Sequence, residues 1–254
     1  MTFVTHIYLK LGSLCDSIIH ICKLATILTE IMRKKTFLII TICLFQISYA
    51  QDEIHINFNE IKQKVENVNS ESYYPKLLKR FNDFDSTLTL EENALIYYGF
   101  SFQDDYIKNK PKEEKLKFFD NTKEYEKLKI ECQKILDKNP VSLEANNKMG
   151  FALFKLGKAE IEWKKYQKRF RDLRKVIVYS GNGLSCESAF KVIYVSDEYN
   201  VIYDYFEITK IDRQSLSGMC DKFLNEPSKF YKGTEIFFDA SQSLIRNEEI
   251  ITKK

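Results

Sequence analysis

Six carboxylate residues follow one another closely in the first half of the chain. They are Asp83, Asp85, Glu91, Glu92, Asp104 and Asp105. General acid and base catalysis uses two such groups in one cleft, in environments that keep one protonated and the other ionised. A carboxylate-dependent hydrolase of the cell envelope is therefore one functional hypothesis. Helix capping explains Glu91 and Glu92 equally well, because Thr89-Leu90-Glu91-Glu92 matches a capping box.

Aromatic residues interleave with these carboxylates and suggest a different chemistry. Tyrosine contributes apolar area together with a hydroxyl group, a combination that suits contacts with peptides or glycans. The candidate binding residues are Tyr73, Tyr74, Tyr97, Tyr98 and Phe102. Packing of the same rings in a hydrophobic core is the competing interpretation, and the more common arrangement.

Basic residues crowd one predicted helix and form a third candidate surface. They are Lys164, Lys165, Lys168, Arg169, Arg171, Arg174 and Lys175. An acidic partner or lipid headgroups could bind there. The residues lie mostly opposite an apolar stripe that runs from Trp163 to Ile177, so a solvated helix face is the expected arrangement.

The remaining motifs do not indicate catalysis or a cofactor. The stretch GNGLS, residues 181–185, follows a helix and lacks the lysine of a phosphate-binding loop, so a helix-ending turn is expected. It also does not match GxSxG, and Ser185 therefore has no nucleophile elbow. After residue 50 the only histidine is His55, and no CxxC pair occurs. We predict no catalytic residue, no metal site and no cofactor.

An export signal is predicted for residues 32–50. The cationic stretch Arg33–Lys35 precedes an apolar run over residues 37–45, and small residues precede a cleavage site between Ala50 and Gln51. An uncut membrane anchor and a lipoprotein modified at Cys43 are the alternatives. Residues 1–31 are interpreted as an upstream extension that results from too early a start codon. The protein is then expected in the periplasm or outside the cell, with no stable membrane span after signal removal.

The chain after residue 50 has 204 residues, enough for a real core. Five of the 39 basic and two of the 36 acidic residues precede residue 51, which leaves 34 of each and a formal charge of zero. Such a chain has no general attraction for nucleic acid. The expected partner is another envelope protein or a peptide. Of the three cysteines that remain, Cys186 and Cys220 are candidates for a disulfide, and buried thiols are the alternative.

The pattern of apolar residues predicts helices first and strands last. Residues 51–180 are predicted to form a helical, repeat-like region. Residues 181–254 are predicted to form a small α+β region that packs on the helices. Helices are predicted over 59–68, 72–82, 89–102 and from Tyr125, with a flexible connection over 108–114. Strands are predicted over 190–195, 220–224 and 234–239, with short helices that begin near Ser196 and Ser241. The fold class is α+β, with a small antiparallel sheet and short helices.

One helical hairpin is especially clear. The stretch NPVSLEANNKMGFALFKLGKAEIEWKKYQKRF, residues 139–170, carries apolar stripes at spacings of three and four on either side of Gly157. It resembles a degenerate tetratricopeptide repeat. The small residues that the repeat expects on its second helix are replaced by Glu162 and Arg169.

Three longer stretches carry a resemblance to a family. They are SYYPKLLKRFNDFDSTLTLEENALIYYGFSFQDDY, SGNGLSCESAFKVIYVSDEY, and QSLSGMCDKF with EIFFDAS. Together they make the chain similar to the exported bacterial proteins grouped as domain of unknown function 4919. The resemblance implies an exported, repeat-like helical region joined to a small sheet, and it implies no catalytic residue. A non-catalytic binding or protein-interaction module is the function that these observations favour.

Overall fold

The structure is a computed structural model that describes residue 33 and residues 54–252. Apart from Arg33, the predicted upstream extension and signal peptide lie outside the described residues, as does the cleavage site at Ala50 and Gln51.

Nine α-helices and one 3₁₀-helix (Phe100–Phe102) form in this part of the chain. The α-helices are α1 (Phe58–Glu66), α2 (Tyr74–Asn82), α3 (Leu90–Gly99), α4 (Glu114–Asn121), α5 (Tyr125–Leu136), α6 (Leu143–Lys155), α7 (Glu160–Val178), α8 (Val195–Asp204) and α9 (Ser241–Thr252). Helix α4 lies in a stretch for which the sequence predicted no helix.

Side-chain caps fix the start of several helices. The Thr89 side chain accepts from the backbone N–H of Glu92, and the Glu92 carboxylate accepts from the backbone N–H of Thr89. This is the capping box that the sequence predicts at the start of α3. Asn57 caps α1 and Ser142 caps α6 in a similar way. Local sequence therefore decides where these helices begin.

Helices α6 and α7 form the predicted hairpin. Gly157, in the turn between them, has a φ of +66°, a conformation that favours glycine. Gly150 lets the helices approach closely, because a Cβ there would lie 2.8 Å from Cγ of Gln167. Helix α5 packs on the other side of α6, so that three consecutive helices form a layer.

The strands form one four-stranded sheet in the order β1-β4-β3-β2. They are β1 (Phe190–Lys191), β2 (Ile211–Ser217), β3 (Cys220–Asn225) and β4 (Glu235–Asp239). Strands β2, β3 and β4 are antiparallel, whereas β1 is parallel to β4. The prediction of α+β architecture is confirmed, but the sheet is mixed and not purely antiparallel. The chain leaves β1 through α8 and returns to β4 much later, and such a crossover permits parallel pairing.

The main hydrophobic core joins α3 to the segment around β1. Tyr98 donates from its hydroxyl to the Lys191 carbonyl at 3.0 Å, and the Tyr106 ring stacks on Tyr194 with ring centroids 4.9 Å apart. All of these tyrosines are buried. A second apolar cluster, with Leu116, Leu128 and Met149 among its members, holds α4, α5 and α6 together.

Candidate functional site

The structure places the five aromatic residues predicted to bind a ligand mostly in the protein interior. Tyr74, Tyr97 and Tyr98 are buried in the core, and Tyr73 and Phe102 are half-buried. The hydroxyls of Tyr97 and Tyr98 donate to internal acceptors, the Asp197 carboxylate and the Lys191 carbonyl. Core packing is therefore the role of these two residues. Tyr74 alone among the five lines a large cleft.

Four of the six carboxylates proposed for catalysis, Asp83, Asp85, Glu92 and Asp105, are held in ion pairs near the surface. Arg80 binds both Asp85 and Glu92, and Lys79 binds Asp83 at 2.7 Å. Hydrogen bonds from Thr87, and then the Arg80 guanidinium, lower the pKa of Asp85 to about 2. A general acid needs a raised pKa. Asp85 therefore lacks the raised pKa of a general acid.

A cleft of about 810 Å³ lies between α2 and the helices α5 and α7, and we call it the α2–α7 cleft. Its floor and walls combine aromatic, amide and charged side chains. The cleft is lined by Tyr74, Asn82, Phe84, Gln103, Gln133 and Arg169 among others. The segment after the 3₁₀-helix and the end of α5 complete the walls, with Asp105, Lys108, Asp137 and Lys138 among the charged residues.

Arg169 is the most unusual residue of the α2–α7 cleft. Only 7% of it is exposed, and no carboxylate in residues 54–249 lies within ion-pair distance of its guanidinium. Its Nη2 donates to the Phe81 carbonyl, and the guanidinium lies over the rings of Phe84 and Phe81, at 3.6 and 4.2 Å from their centroids. Burial lowers the pKa of Arg169 to about 10, so it stays charged at neutral pH. The expectation of a solvated position for Arg169 was wrong.

Phe84 adopts a strained backbone conformation at the edge of this cleft. Its φ is +57°, in the left-handed region that residues with a side chain rarely occupy, which costs on the order of 1 kcal/mol. The turn after α2 places the Phe84 ring against Arg169 and against the Tyr166 ring, with ring centroids 5.0 Å apart in the latter pair. The strained turn therefore places the Phe84 ring against the Arg169 guanidinium.

Tyr74 lines the same cleft and has a buried hydroxyl. It has no hydrogen-bond partner among the described residues, and burial raises its pKa. A buried hydroxyl without a partner is uncommon, because its desolvation is left uncompensated. Arg169 and Tyr74 are therefore two residues of the cleft wall with polar groups whose donors are not all used within residues 54–249.

A second cleft of about 550 Å³ lies among α4, α6 and α8. Glu113 and Glu144 both line it, and Lys148 reaches Asp120 at 2.7 Å and Glu144 at 3.8 Å. Burial, and then the negative charge of Glu144, raise the pKa of Glu113 to about 7. The sequence did not single out these residues, because the two glutamates are far apart in the chain and only the fold brings them to one cleft.

The cysteines of the small sheet region lie together. Cys186 and Cys220 form a disulfide in the structure, with their Cα atoms 5.7 Å apart, and Cys132 is a buried thiol. Within residues 54–252, no cluster of three histidine, cysteine, aspartate or glutamate side chains is arranged to hold a metal ion. In the same part of the chain, every helix is too short or too polar to cross a bilayer.

Comparison with known proteins gives a family and no further relative. No curated protein and no solved structure is significantly similar to the chain. One family model matches, over residues 59–249, and these residues contain every helix, strand and cleft residue described above except the ends of α1 and α9. The chain therefore belongs to the family described as a domain of unknown function (DUF4919).

Proposed function

We propose that this protein is an exported, non-catalytic binding module that holds an extended peptide segment of another envelope protein in the α2–α7 cleft. The observation that carries the proposal is the cleft itself, about 810 Å³ in volume and walled by rings and amide side chains. Ligand sites in proteins typically have volumes of about 300–1,000 Å³.

The chemistry of the wall suits a peptide. Asn82, Gln103 and Gln133 each carry an amide that both donates and accepts hydrogen bonds, as a peptide backbone does. Phe84 and Tyr166 add aromatic area beside these amides. A chain of alternating backbone N–H and C=O groups would find partners along such a wall, and its side chains would find apolar contacts.

A pair of matched substitutions tests the location of the site. Asn82 and Asn121 are both exposed and are the last residues of α2 and α4, but only Asn82 lines the α2–α7 cleft. We expect Asn82→Trp to block the cleft and Asn121→Trp to leave it open. The measurement is the binding of a mixed pool of fluorescent octapeptides, followed by anisotropy. Loss of at least about tenfold in affinity for Asn82→Trp alone supports the proposal. Absence of binding to the parent protein, or equal loss in both variants, would contradict it.

Export is the second part of the proposal and has its own test. It is supported by the cationic, apolar and small-residue pattern of residues 32–50. The protein recovered from the cell envelope should begin at Gln51, as judged by its mass and N-terminal sequence. Recovery from the cytosol with residues 37–45 intact would overturn this part.

A hydrolase of the cell envelope is a second candidate, favoured by one observation in the other cleft. The Glu113 carboxyl has a pKa near 7 and lies in the same cleft as Glu144, an arrangement of the kind that general acids use. The test is release of new reducing ends from soluble envelope polysaccharide. A hydrolase would lose this activity in Glu113→Gln and keep it in the nearby exposed variant Glu114→Gln.

A further inference from the structure

We propose that Arg169 is the receptor for a carboxylate group of the ligand, either a peptide C-terminus or an acidic side chain. The inference deepens the proposed function and rests on it only for the peptide nature of the ligand. It assigns a chemical class to the occupant of the α2–α7 cleft and a single residue that recognises it.

The positive charge of Arg169 has no ion-pair partner within residues 54–249. A buried cation without a counter-charge is unfavourable, and proteins usually pair such groups. Two carboxylates that line a small neighbouring cleft together with Arg169 are engaged elsewhere, Asp85 with Arg80 and Asp172 with Lys168 at 2.6 Å. Asp137 accepts a hydrogen bond from Gln133 at 2.6 Å. The fold therefore buries the positive charge of Arg169 beside a cleft. The counter-charge must come from a group outside residues 54–249.

Most N–H donors of the Arg169 guanidinium are not used in hydrogen bonds within residues 54–249. A guanidinium has five N–H donors in a planar fork, and the structure uses one of them, in the bond to the Phe81 carbonyl. The rings of Phe81 and Phe84 hold the group by stacking, which leaves N–H donors at the edge of the plane available. A guanidinium fixed in this way is preorganised, because less rotamer freedom is lost when a ligand binds.

The α2–α7 cleft favours a carboxylate over a phosphate as the anion that binds Arg169. A carboxylate is planar and accepts two parallel hydrogen bonds from an arginine fork. Asp105 and Asp137 line the same cleft together with Lys108 and Lys138, so these four charges balance and Arg169 is left as the excess charge. One excess positive charge matches a singly charged carboxylate better than a doubly charged phosphate. These features favour a carboxylate.

The direct experiment uses a small probe and needs no peptide. Propionate and its neutral analogue propionamide are titrated into the parent protein at constant ionic strength, with the Arg169 side-chain Nε–Hε signal observed by NMR. We expect a saturable shift with propionate and an affinity at least about tenfold weaker for propionamide. Equal responses to the two probes, or no saturable response to propionate, would overturn the inference.

Matched variants localise the effect. Arg169→Gln removes the charge but keeps an amide donor near the Phe81 carbonyl, and Arg171→Gln changes an exposed arginine of the same helix. We expect the propionate response, observed at the backbone amide of Phe84, to vanish in Arg169→Gln and to persist in Arg171→Gln. If Arg169→Gln does not fold, as judged by its thermal unfolding, the comparison of probes on the parent protein decides the matter.

The two proposals can fail separately. Octapeptides that bind the cleft, combined with equal responses to propionate and propionamide, would leave the binding function standing and overturn the role of Arg169. A specific response to propionate without octapeptide binding would support the carboxylate receptor and contradict the peptide ligand. Octapeptides with a free C-terminus and with an amidated C-terminus then distinguish a chain end from an acidic side chain.

Discussion

The hydroxyl of Tyr97 donates a hydrogen bond of 2.6 Å to the carboxyl group of Asp197, which lies 100 residues further along the chain. Tyr97 is in α3 and Asp197 is in α8, and both are buried. The same hydroxyl accepts from the backbone N–H of Ile193 at 3.2 Å. Burial raises the pKa of Asp197 well above its usual range, and the bond from Tyr97 opposes that shift. One phenol group therefore ties the helical region to the segment after β1.

Removal of this hydroxyl should destabilise the fold. In Tyr97→Phe the Asp197 carboxyl loses its donor and the Ile193 N–H loses its acceptor, both in the core. We expect the free energy of unfolding to fall by about 1–3 kcal/mol, measured by urea denaturation at pH 7. Tyr203→Phe is the control, because Tyr203 is exposed and the change should stay within about 0.5 kcal/mol. Equal effects of the two substitutions would contradict the prediction.

Glu198, the neighbour of Asp197, should make stability depend on pH. It is fully buried, and neither of its oxygens makes a hydrogen bond among the described residues. Burial, and then the negative charge of Asp221, raise its pKa from 4.5 to about 10. The folded protein therefore keeps Glu198 protonated, and the stability contributed by this proton is fully present below pH 4.5 and is lost as the pH rises towards 10.

The matching variant is Glu198→Gln, which has no proton to lose. Each pH unit above 4.5 lowers the stability of the parent protein by about 1.4 kcal/mol relative to this variant, or roughly 3 kcal/mol at pH 7. Urea unfolding between pH 4.5 and 8 should show a flatter pH dependence for Glu198→Gln. The control Glu91→Gln, at an exposed position of α3, should keep the slope of the parent protein. The same slope in Glu198→Gln would show that Glu198 is not the group responsible.

These buried acids illustrate where the sequence was insufficient. Ser196-Asp197-Glu198 has the composition of a helix N-terminus, and a helix does begin there, but the N-cap is Tyr194 and no side chain caps it. The sequence therefore predicted the helix and missed the burial of its first turn. Burial was decided by the fully buried segment around Val192 and Ile193, which places this turn against α3. No local pattern contains that long-range contact.

Local signals were sufficient where structure depends on neighbours in sequence. The capping box at Thr89 and the turn between two helices at Gly157 were both predicted, since each is defined within a few residues. Strand β2 was missed, because most of its side chains are exposed and it shows no apolar alternation. For Arg169 one signal was present, an arginine at a position where a tetratricopeptide repeat expects a small residue. Its burial still depended on Phe81 and Phe84, which are contributed by another part of the chain.

If the protein is exported as proposed above, the disulfide between Cys186 and Cys220 should form after export. The bridge closes a loop with a sequence separation of 34, and cross-linking a loop of this size stabilises by about 3–4 kcal/mol. Protein recovered from the envelope should show one free thiol, Cys132, after denaturation and alkylation. A reducing agent should lower the stability of the parent protein but not that of the double variant Cys186→Ser with Cys220→Ser. Three free thiols in the recovered protein would rule the bridge out.

Gly183 and Gly157 allow the cost of a clash to be separated from the cost of backbone conformation. Their φ values are +69° and +66°, so an alanine at either position meets the same left-handed strain, about 1 kcal/mol. A Cβ at Gly157 would have no atom within 4 Å, whereas at Gly183 it would lie 2.4 Å from Cε2 of the buried Phe190 ring. That ring packs against Phe206 and Phe238 and cannot move without disturbing them. We therefore expect Gly183→Ala to lower the free energy of unfolding by about 1–3 kcal/mol more than Gly157→Ala does, as measured by urea denaturation. An equal decrease in the free energy of unfolding for both variants would contradict this prediction. It would mean that the Phe190 ring moves aside at no cost and that Gly183 is needed only for the backbone conformation of the turn.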